Sequence, residues 1–550
     1  MEVTFTEYFD YVHHAPTRPE LVEGRDPRPH RVVIVGGGPT GLAAAIGLAR
    51  HGVASVVLEA DDTVCSGSRA GAITRRTLEI FEQLGVIDPV LAKGFAWGTG
   101  ITYLGDREVL RFAMPDDENQ KFPPGLSLQQ NYVELYLLDE IERHRDLIEV
   151  RWQSSVSAVR PDGEGVELQV ETPAGSYDLR ADWVIACDGG RSTVRRELGL
   201  QMEGTAYEGR YVIIDIRIDT EGLPIGRRCW FDPPSNPGST LLMYTKPDHM
   251  VRLDYQLDPD EDPEEASRPE NVLPRVQQHL EMLGLDRPWE PVWLSLYRAN
   301  ALTLPSYRHG RVLFAGDAAH LVPIFGVRGM NSSLDDAHNL AWKLASVVTG
   351  RAGDALLDSY SDERVYAARE NLRLASRGAE FMAPPSAPFR LMRDAVLSLV
   401  VSHPWTSTLL NPRQHSAIPL YDSPLNAPDA GFEHGPRPGD VLPECPVVAN
   451  DAAGATKTHL LSLLGPRVTA LYFAAGGEPP AVTTELRFAL LVVGPDADVQ
   501  DPDGRLAALL DARPGTLYLI RPDGHVVGRW RDGTAEDLRA ALDRIEGGRR

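Results

Sequence analysis

Several stretches of this chain carry residues whose type and spacing can do chemistry. The run Gly36-Gly37-Gly38-Pro39-Thr40-Gly41 follows an apolar stretch, Arg31-Val32-Val33-Ile34-Val35, and a second apolar stretch at 54–58 ends in Glu59. Strand, G-x-G-x-x-G, helix, strand and acid in this order form the complete dinucleotide fingerprint. Gly36 makes the tight turn, Gly38 lets backbone approach a pyrophosphate, and Gly41 lets the helix pack on the sheet. The helix opened by Pro39 and Thr40 offers its unpaired N–H groups to phosphate. Glu59 is placed to accept hydrogen bonds from a ribose diol.

A second stretch runs from 311 to 331. Its apolar start is stopped by Gly316, and Asp317 follows at once. A turn-rich segment ending at Gly329 leads into a helical pattern with Met330, Leu334, Ala337, Ala341, Leu344, Ala345 and Val348 on one face. Asp335 and Asp336 lie in its first turns and Lys343 further on, as the helix dipole prefers. An acid at a strand end and a helix N-terminus at Gly329-Met330-Asn331 thus face one space. Such a pair can hold a polyol and an electron-rich ring edge together. A third stretch, 181–192, is an apolar strand ending in Asp188-Gly189. In a fourth, 250–257, Arg252, Asp254 and Gln256 alternate with Val251, Leu253, Tyr255 and Leu257. Its polar side faces solvent or a ring in a pocket, and the pattern slightly favours solvent. Arg69 can neutralise a phosphate and Gln130 can bond a sugar or ring, although a solvated surface is the ordinary reading of either.

The elements that must position these residues follow from periodicity. Residues before about 29 are polar and Pro-rich and read as an irregular arm. Helices are expected near 39–51, 74–84 and 133–144, hairpin strands over 150–159 and 165–171, and a run of strands from 210 to 301 broken by an acidic, then helical, insert at 258–287. Helices follow to about 402. Residues 411–446, rich in Pro and Gly, read as a linker, and the remainder as a small α/β domain.

A chain of 550 residues can bury a sizeable core in two to four domains. Its formal charge of -23 argues against a nucleic-acid binder, because phosphate would be repelled. Four dispersed cysteines give no CxxC, no zinc or other metal site and no disulfide framework, and fit a reducing cytoplasm. No signal pattern opens the chain and no apolar run reaches membrane-spanning length.

Taken together, Gly36 to Gly41 with Glu59, the Asp188-Gly189 strand end and Gly316-Asp317-Ala318-Ala319-His320 resemble the single-component FAD-dependent aromatic hydroxylases. That group includes para-hydroxybenzoate hydroxylase, phenol hydroxylase and 3-(3-hydroxyphenyl)propionate hydroxylase. Arg76-Thr77-Leu78-Glu79 and the run 331–344 extend the match, which covers about 29–380. The C-terminal region is similar to the thioredoxin-like appendage of the phenol hydroxylase branch, also without CxxC.

The resemblance implies an α/β fold: a Rossmann-like FAD-binding domain (30–205 and 300–382), an inserted β-sheet substrate domain (206–299) and a C-terminal thioredoxin-like α/β domain (447–550). An arm (1–29), a helical segment (383–410) and a linker (411–446) complete the division. It implies bound FAD, NADPH or NADH as a transient reductant, O2 as co-substrate, a small aromatic substrate and a homo-oligomer, with no nucleic-acid or membrane partner. The implied reaction is hydroxylation of an electron-rich phenolic or hydroxylated heteroaromatic ring through a flavin C4a-hydroperoxide, in aromatic catabolism or natural-product biosynthesis.

Residue by residue, the resemblance assigns Glu59 to the adenosine ribose, Arg69 to the pyrophosphate side and Gln130 to the flavin chain. Asp188 and Gly189 would touch FAD and the passing nicotinamide, Asp317 the ribityl hydroxyls, and the N–H groups of Gly329, Met330 and Asn331 the flavin pyrimidine edge. Arg252 and Asp254 are candidates for handling the phenolic proton, with His249 and Tyr297 behind them. Pro323 would offer its carbonyl to substrate. Two departures stand out. Arg328 occupies the place of a common glutamine and raises the positive potential there, and Ile324 replaces a common proline. Arg252 and Arg217 are the only evident carboxylate clamps, which tilts the expectation to an uncharged, lipophilic ring. A flavin reductase or halogenase of related fold, or a non-catalytic FAD-binding sensor, is the alternative; the Trp-x-Trp-x-Ile-Pro halogenase signature is absent.

Overall fold

The apolar run around Val33 needs cover on both sides of a sheet, and it has it. Val32, Val33 and Ile34 are fully buried in the strand His30–Val35. That strand pairs in parallel with Ser55–Leu58 on one side and with Gly175–Ala186 on the other. Ile148–Arg151 extends the sheet beyond Ser55–Leu58, and Val312–Phe314 lies parallel to the end of Gly175–Ala186. A computed structural model describes residues 2–17, 19–258, 260–409, 416–451, 454–474 and 488–547; the start of the stretch read as a linker lies outside them.

Four helices position the key residues: α1 (Pro39–Arg50), α2 (Arg75–Leu84), α3 (Gly329–Val348) and α4 (Leu356–Met382). Helices α1 and α3 pack so closely that a Cβ on Gly47 would stand 2.6 Å from that of Ala341. Asp335, Asp336 and Lys343 are buried. They serve as ion-pair partners inside the protein rather than as solvated charges along a helix dipole.

A second, nine-stranded sheet orders Glu2–Thr4, Trp289–Thr303, Glu203–Ile218, Met250–Gln256, Thr240–Lys246, Arg227–Phe231, Thr99–Leu104 and Arg107–Ala113, with His320–Leu321 on Trp289–Thr303. One face packs Ile214, Val251 and Leu253 against Val272, Val276 and Leu280 of the helix Pro269–Met282. The other packs Tyr211, Cys229, Phe231 and Leu242 against Phe325, Met382 and Leu397.

Three expectations change here. The arm is not wholly irregular, since Glu2–Thr4 pairs antiparallel with Trp293 to Ser295. Residues 99–113, which the sequence leaves with the nucleotide-binding half, join this sheet because Thr99–Leu104 finds a parallel partner in Arg227–Phe231. The polar side of Met250–Gln256 does not see solvent. Every residue of that strand is buried, because the sheet is covered on both faces.

The C-terminal region forms a seven-stranded mixed sheet, with Thr469–Phe473 parallel to Ala489–Val493 and antiparallel to Leu517–Ile520. It docks on α3 and α4 through buried charge. Arg521 donates to Glu363 at 2.6 and 3.0 Å and to Asp523 at 2.9 and 2.5 Å. Lys343 donates to Glu363 at 2.7 Å, and Asn339 and Trp342 donate to Asp523 at 2.8 and 3.1 Å.

Candidate active site

The glycine run builds a cradle. Gly36 has φ +104°, and a Cβ there would lie 2.4 Å from the Cys187 carbonyl oxygen, so only glycine lets the turn pass under the neighbouring strand. A Cβ on Gly41 would lie 2.0 Å from the Gly36 carbonyl oxygen. Gly38, which precedes α1, is different: nothing lies within 4 Å of its virtual Cβ. Open space in front of that backbone is what a pyrophosphate requires. Glu59 accepts from the Gly37 N–H at 2.5 Å and the Asp61 N–H at 2.8 Å. Burial pushes its carboxyl above the usual range despite those bonds.

The Asp317 turn is tied to this cradle. Gly316 has φ +64° and sits on Thr40 of α1, whose Oγ1 would be 2.7 Å from an added Cβ. Asp317 itself is accessible at its surface, yet burial pushes its carboxyl upward. Access and desolvation together describe a side chain lining a deep cleft. What fixes the turn is Asp336 of α3, which accepts from the Gly316 N–H at 3.0 Å and lies 2.6 Å from His320 Nε2. Arg364 of α4 donates to its other oxygen at 2.7 Å. The sequence points to Asp317 and misses Asp336 as the support of its turn; Gly316 and Asp336 are twenty residues apart, and only the fold joins them.

At the start of α3, Val327 has φ +57°, a strained conformation for a β-branched residue and one that clusters at functional sites. Asn331 accepts from the Thr74 N–H at 3.0 Å and Thr77 Oγ1 at 2.6 Å, and donates to the Val327 carbonyl at 2.8 Å. Arg328 caps α3 from a buried position, donating to Asn371 at 2.7 Å, and burial lowers its guanidinium to about 10. Gly329 has nothing within 4 Å of its virtual Cβ, so the helix end opens on unfilled space. Met330 is partly buried beside it, and Pro323 is buried in the loop ahead.

Other expected residues sit close by with partners of their own. Arg69 is exposed and pairs with Glu2 at 3.3 Å. Gln130 accepts from the Ala70 N–H at 3.2 Å and donates to Glu134 at 2.8 Å. Asp188 caps the turn after its strand, accepting from Ser192 Oγ at 2.6 Å and the Val194 N–H at 3.0 Å. Gly189, at φ +78°, faces open space.

The sheet supplies the opposite wall. Tyr297 OH donates to the Val322 carbonyl at 3.1 Å, and Tyr211 meets Phe325 edge-on with ring centroids 5.4 Å apart. These contacts hold the loop before α3 against the sheet. Arg252 forms a two-pronged ion pair with Asp215 at 3.0 and 3.1 Å and also donates to Ser68 and to the Arg69 carbonyl. Lys246 donates to Ser68 Oγ at 2.7 Å. Burial pushes Asp215 upward, but Arg252 and Lys246 outweigh it and hold the carboxylate low. Asp254 lies beside this cluster with Oδ1 enclosed, 3.9 Å from Arg252 Nε and without a hydrogen bond; burial raises it to about 6, opposed by Arg252 and Lys246. His249 stands apart with an exposed side chain, 3.8 Å from Asp219. Arg217 pairs with Glu290 at 2.8 Å, toward solvent.

A glycine cradle, an acid-bearing turn packed on it and a helix end open to unfilled space suit a dinucleotide-binding protein. The family model described as FAD binding domain matches residues 30–375, and the chain belongs to that family, as a FAD-dependent aromatic hydroxylase. It is 29% identical over 540 residues to the 3-(3-hydroxy-phenyl)propionate/3-hydroxycinnamic acid hydroxylase of Mycolicibacterium smegmatis, covering 93% of this chain and 92% of that one. It is 29% identical over 544 residues to the 6-methylpretetramide 4-monooxygenase of Streptomyces rimosus, covering 94% and 93%. Among solved structures, the ternary complex of aklavinone-11 hydroxylase with FAD and aklavinone superposes with a TM-score of 0.70 at 27% identity, over 94% of this chain and 99% of that one. The flavin-dependent monooxygenase PieE, in complex with FAD and substrate, shares the fold with a TM-score of 0.81 at 24% identity, over 94% and 99%. The residues present fit FAD: open space fronts Gly38 and Gly329, and burial pushes the carboxyls of Glu59 and Asp317 upward.

Proposed function

We propose that the chain hydroxylates an electron-rich ring bearing a hydroxyl group, held between the sheet face of Tyr211, Tyr244, Asp254 and Tyr297 and the loop that leads into α3. Bound FAD supplies the chemistry of this class, accepting reducing equivalents from NADPH or NADH and activating O2. Gly36, Gly38 and Gly41 with α1 would take the pyrophosphate, Glu59 and Asp317 the diols, and the N-terminus of α3 with Arg328 the electron-rich edge of the ring system. A helix N-terminus backed by a buried cation favours negative charge there.

The observation that carries the reading on the substrate side is Asp254. A buried carboxylate with one oxygen free of hydrogen bonds, only a long 3.9 Å ion pair to Arg252, and its pKa raised is suited to take a phenolic proton. Deprotonation pushes electron density onto the ring carbon that is to be oxygenated. Arg252 is better read as a positioning residue, since Asp215, Ser68 and the Arg69 carbonyl occupy its guanidinium. Arg69, Gln130, Asp188 and Gly189 would edge the cofactor and the reductant's approach, and the Pro323 carbonyl would meet substrate.

Within this reading 30–205, apart from the strands over 99–113, and 300–382 form the Rossmann-like cofactor part, and 206–299 with 99–113 the substrate sheet. Residues 1–29 are the arm, 383–410 a helical segment, 411–446 a linker and 447–550 a thioredoxin-like unit that serves packing or oligomerisation. The free cysteines support a cytoplasmic enzyme. Exposed Leu391, Val401 and Trp405 support a homo-oligomer.

The test is a screen of hydroxylated aromatics against the FAD-loaded enzyme. The expected result is stimulated NADPH or NADH consumption with a product 16 mass units heavier, the mass of one oxygen atom. Consumption yielding only peroxide with every ring tried would overturn the reading.

A further inference from the structure

The sheet face that looks toward α3 carries a cation with no counter-ion. Arg227 opens the strand Arg227–Phe231 and is 5% exposed. Side chains alternate along a strand, so Arg227 shares its face with Cys229 and Phe231, which pack on Phe325 and Met382. Its register neighbours are Gly100 on one side and, on the other, Tyr244, Arg252 and Asp215 in turn. Gly100 presents no side chain, and Phe112 leans over the gap, with its ring centroid 5.6 Å from Arg227 Cζ. Among the described residues no carboxylate reaches Arg227, and its Nε is enclosed without a hydrogen-bond partner. The nearby carboxylate Asp215 is already engaged by Arg252. Burying an unpaired charge is costly, so a guanidinium kept here points to an anion that arrives with a ligand.

We propose that Arg227 anchors an acidic oxygen of the substrate. The substrate is then a hydroxyaromatic with a second acidic group, a carboxylate or an equally acidic enol, set apart from the hydroxyl that Asp254 serves. Arg227 and Asp254 lie on strands separated by one other strand, Thr240–Lys246. Two strand spacings are about 10 Å, so the two acidic groups sit across at least one ring from each other. A planar guanidinium suits an anionic pair of oxygens better than an ammonium does. This inference rests on the hydroxylase reading above and reverses the expectation of an uncharged ring, which counted only Arg252 and Arg217 as clamps.

The test measures binding to the oxidised, FAD-loaded full chain by perturbation of the flavin spectrum and by calorimetry. The probes are acid and methyl-ester pairs: 3-(3-hydroxyphenyl)propionate, 6-hydroxy-2-naphthoate and a dihydroxyanthraquinone carboxylate. The expected result is at least one acid binding tenfold or more tightly than its ester. That ratio falls toward one in Arg227→Met and is partly kept in Arg227→Lys. FAD content and melting temperature verify folding, and the Lys variant carries the test should the Met variant not fold. No acid preferred over its ester, a preference that survives Arg227→Met, or a variant defect confined to NADPH or NADH binding would each overturn the proposal. Product analysis separates the two readings. Phenols hydroxylated without regard to the acid group remove only the anchor, whereas an acid preference without any hydroxylated product removes the hydroxylase reading.

Discussion

At the scale of single residues, the role proposed for Asp254 gives a direct prediction. Replacing Asp254 with Asn keeps the shape and removes the base. Turnover should fall by about 10²–10⁴-fold while FAD content is unchanged. The base form is populated above its raised value of about 6, so native activity should rise with pH through that region. In Asp254→Asn this limb should vanish, which a pH profile of kcat checks directly. The supporting pair behaves differently. Asp215→Asn strands Arg252 in the interior, and breaking a buried pair costs about 3–5 kcal/mol, so the melting temperature should drop as well as the rate. Gly36, Gly38, Glu59 and Asp317 could be singled out in the sequence because local spacing marks the strand ends and the turn they occupy. Asp336, Asp215 and Arg227 were not, since each takes its role from strands or helices far along the chain. Asp254 and Arg252 were visible as a polar side of a strand, but alternation alone does not say whether that side is wet.

Elements show the same division. The glycine positions separate backbone needs from cofactor needs. Gly36→Ala drives a methyl group into the Cys187 carbonyl and should prevent folding of the cofactor half. Gly38→Ala and Gly329→Ala meet open space in the protein. Both apoproteins should therefore melt within a degree or two of native, yet load FAD at least tenfold more weakly, as flavin absorbance after dialysis will show. Equal FAD affinity in both would argue that the cofactor lies elsewhere. The strand–turn–helix of the cradle and the long helix after Gly329 follow from periodicity and punctuation. The joining of Thr99–Leu104 to the large sheet does not, because strand pairing is decided by partners and not by propensity.

On the scale of the whole molecule, buried titratable groups make stability depend on pH. Burial, aided by Arg228 for His279 and by Arg76 for His338, lowers both imidazoles to about 3, and burial lowers His51 to about 4. An unfolded histidine titrates near 6.5. Groups whose folded value is depressed contribute stability that is complete above the unfolded value and is lost as pH falls below it. The midpoint for urea unfolding should thus decline steadily from about pH 6.5 downward. Burial pushes Glu363 upward, but Arg521 and Lys343 outweigh it and hold the carboxylate low. It adds a second, steeper loss below the ordinary glutamate value of about 4.3. Glu363→Gln should lessen that second phase, which Asp215, Asp336 and Asp523 share because each is also held low, and lower stability at neutral pH by a few kcal/mol.

The pairing of Glu2–Thr4 along the edge of the large sheet has a practical side. Glu2 accepts from Trp293 Nε1 at 2.8 Å and from Ser66 Oγ at 2.9 Å, and it pairs with Arg69. The Arg69 carbonyl in turn takes a hydrogen bond from Arg252. A bulky label pressing on that seam would be felt through it at Arg252 and the buried strand that carries it.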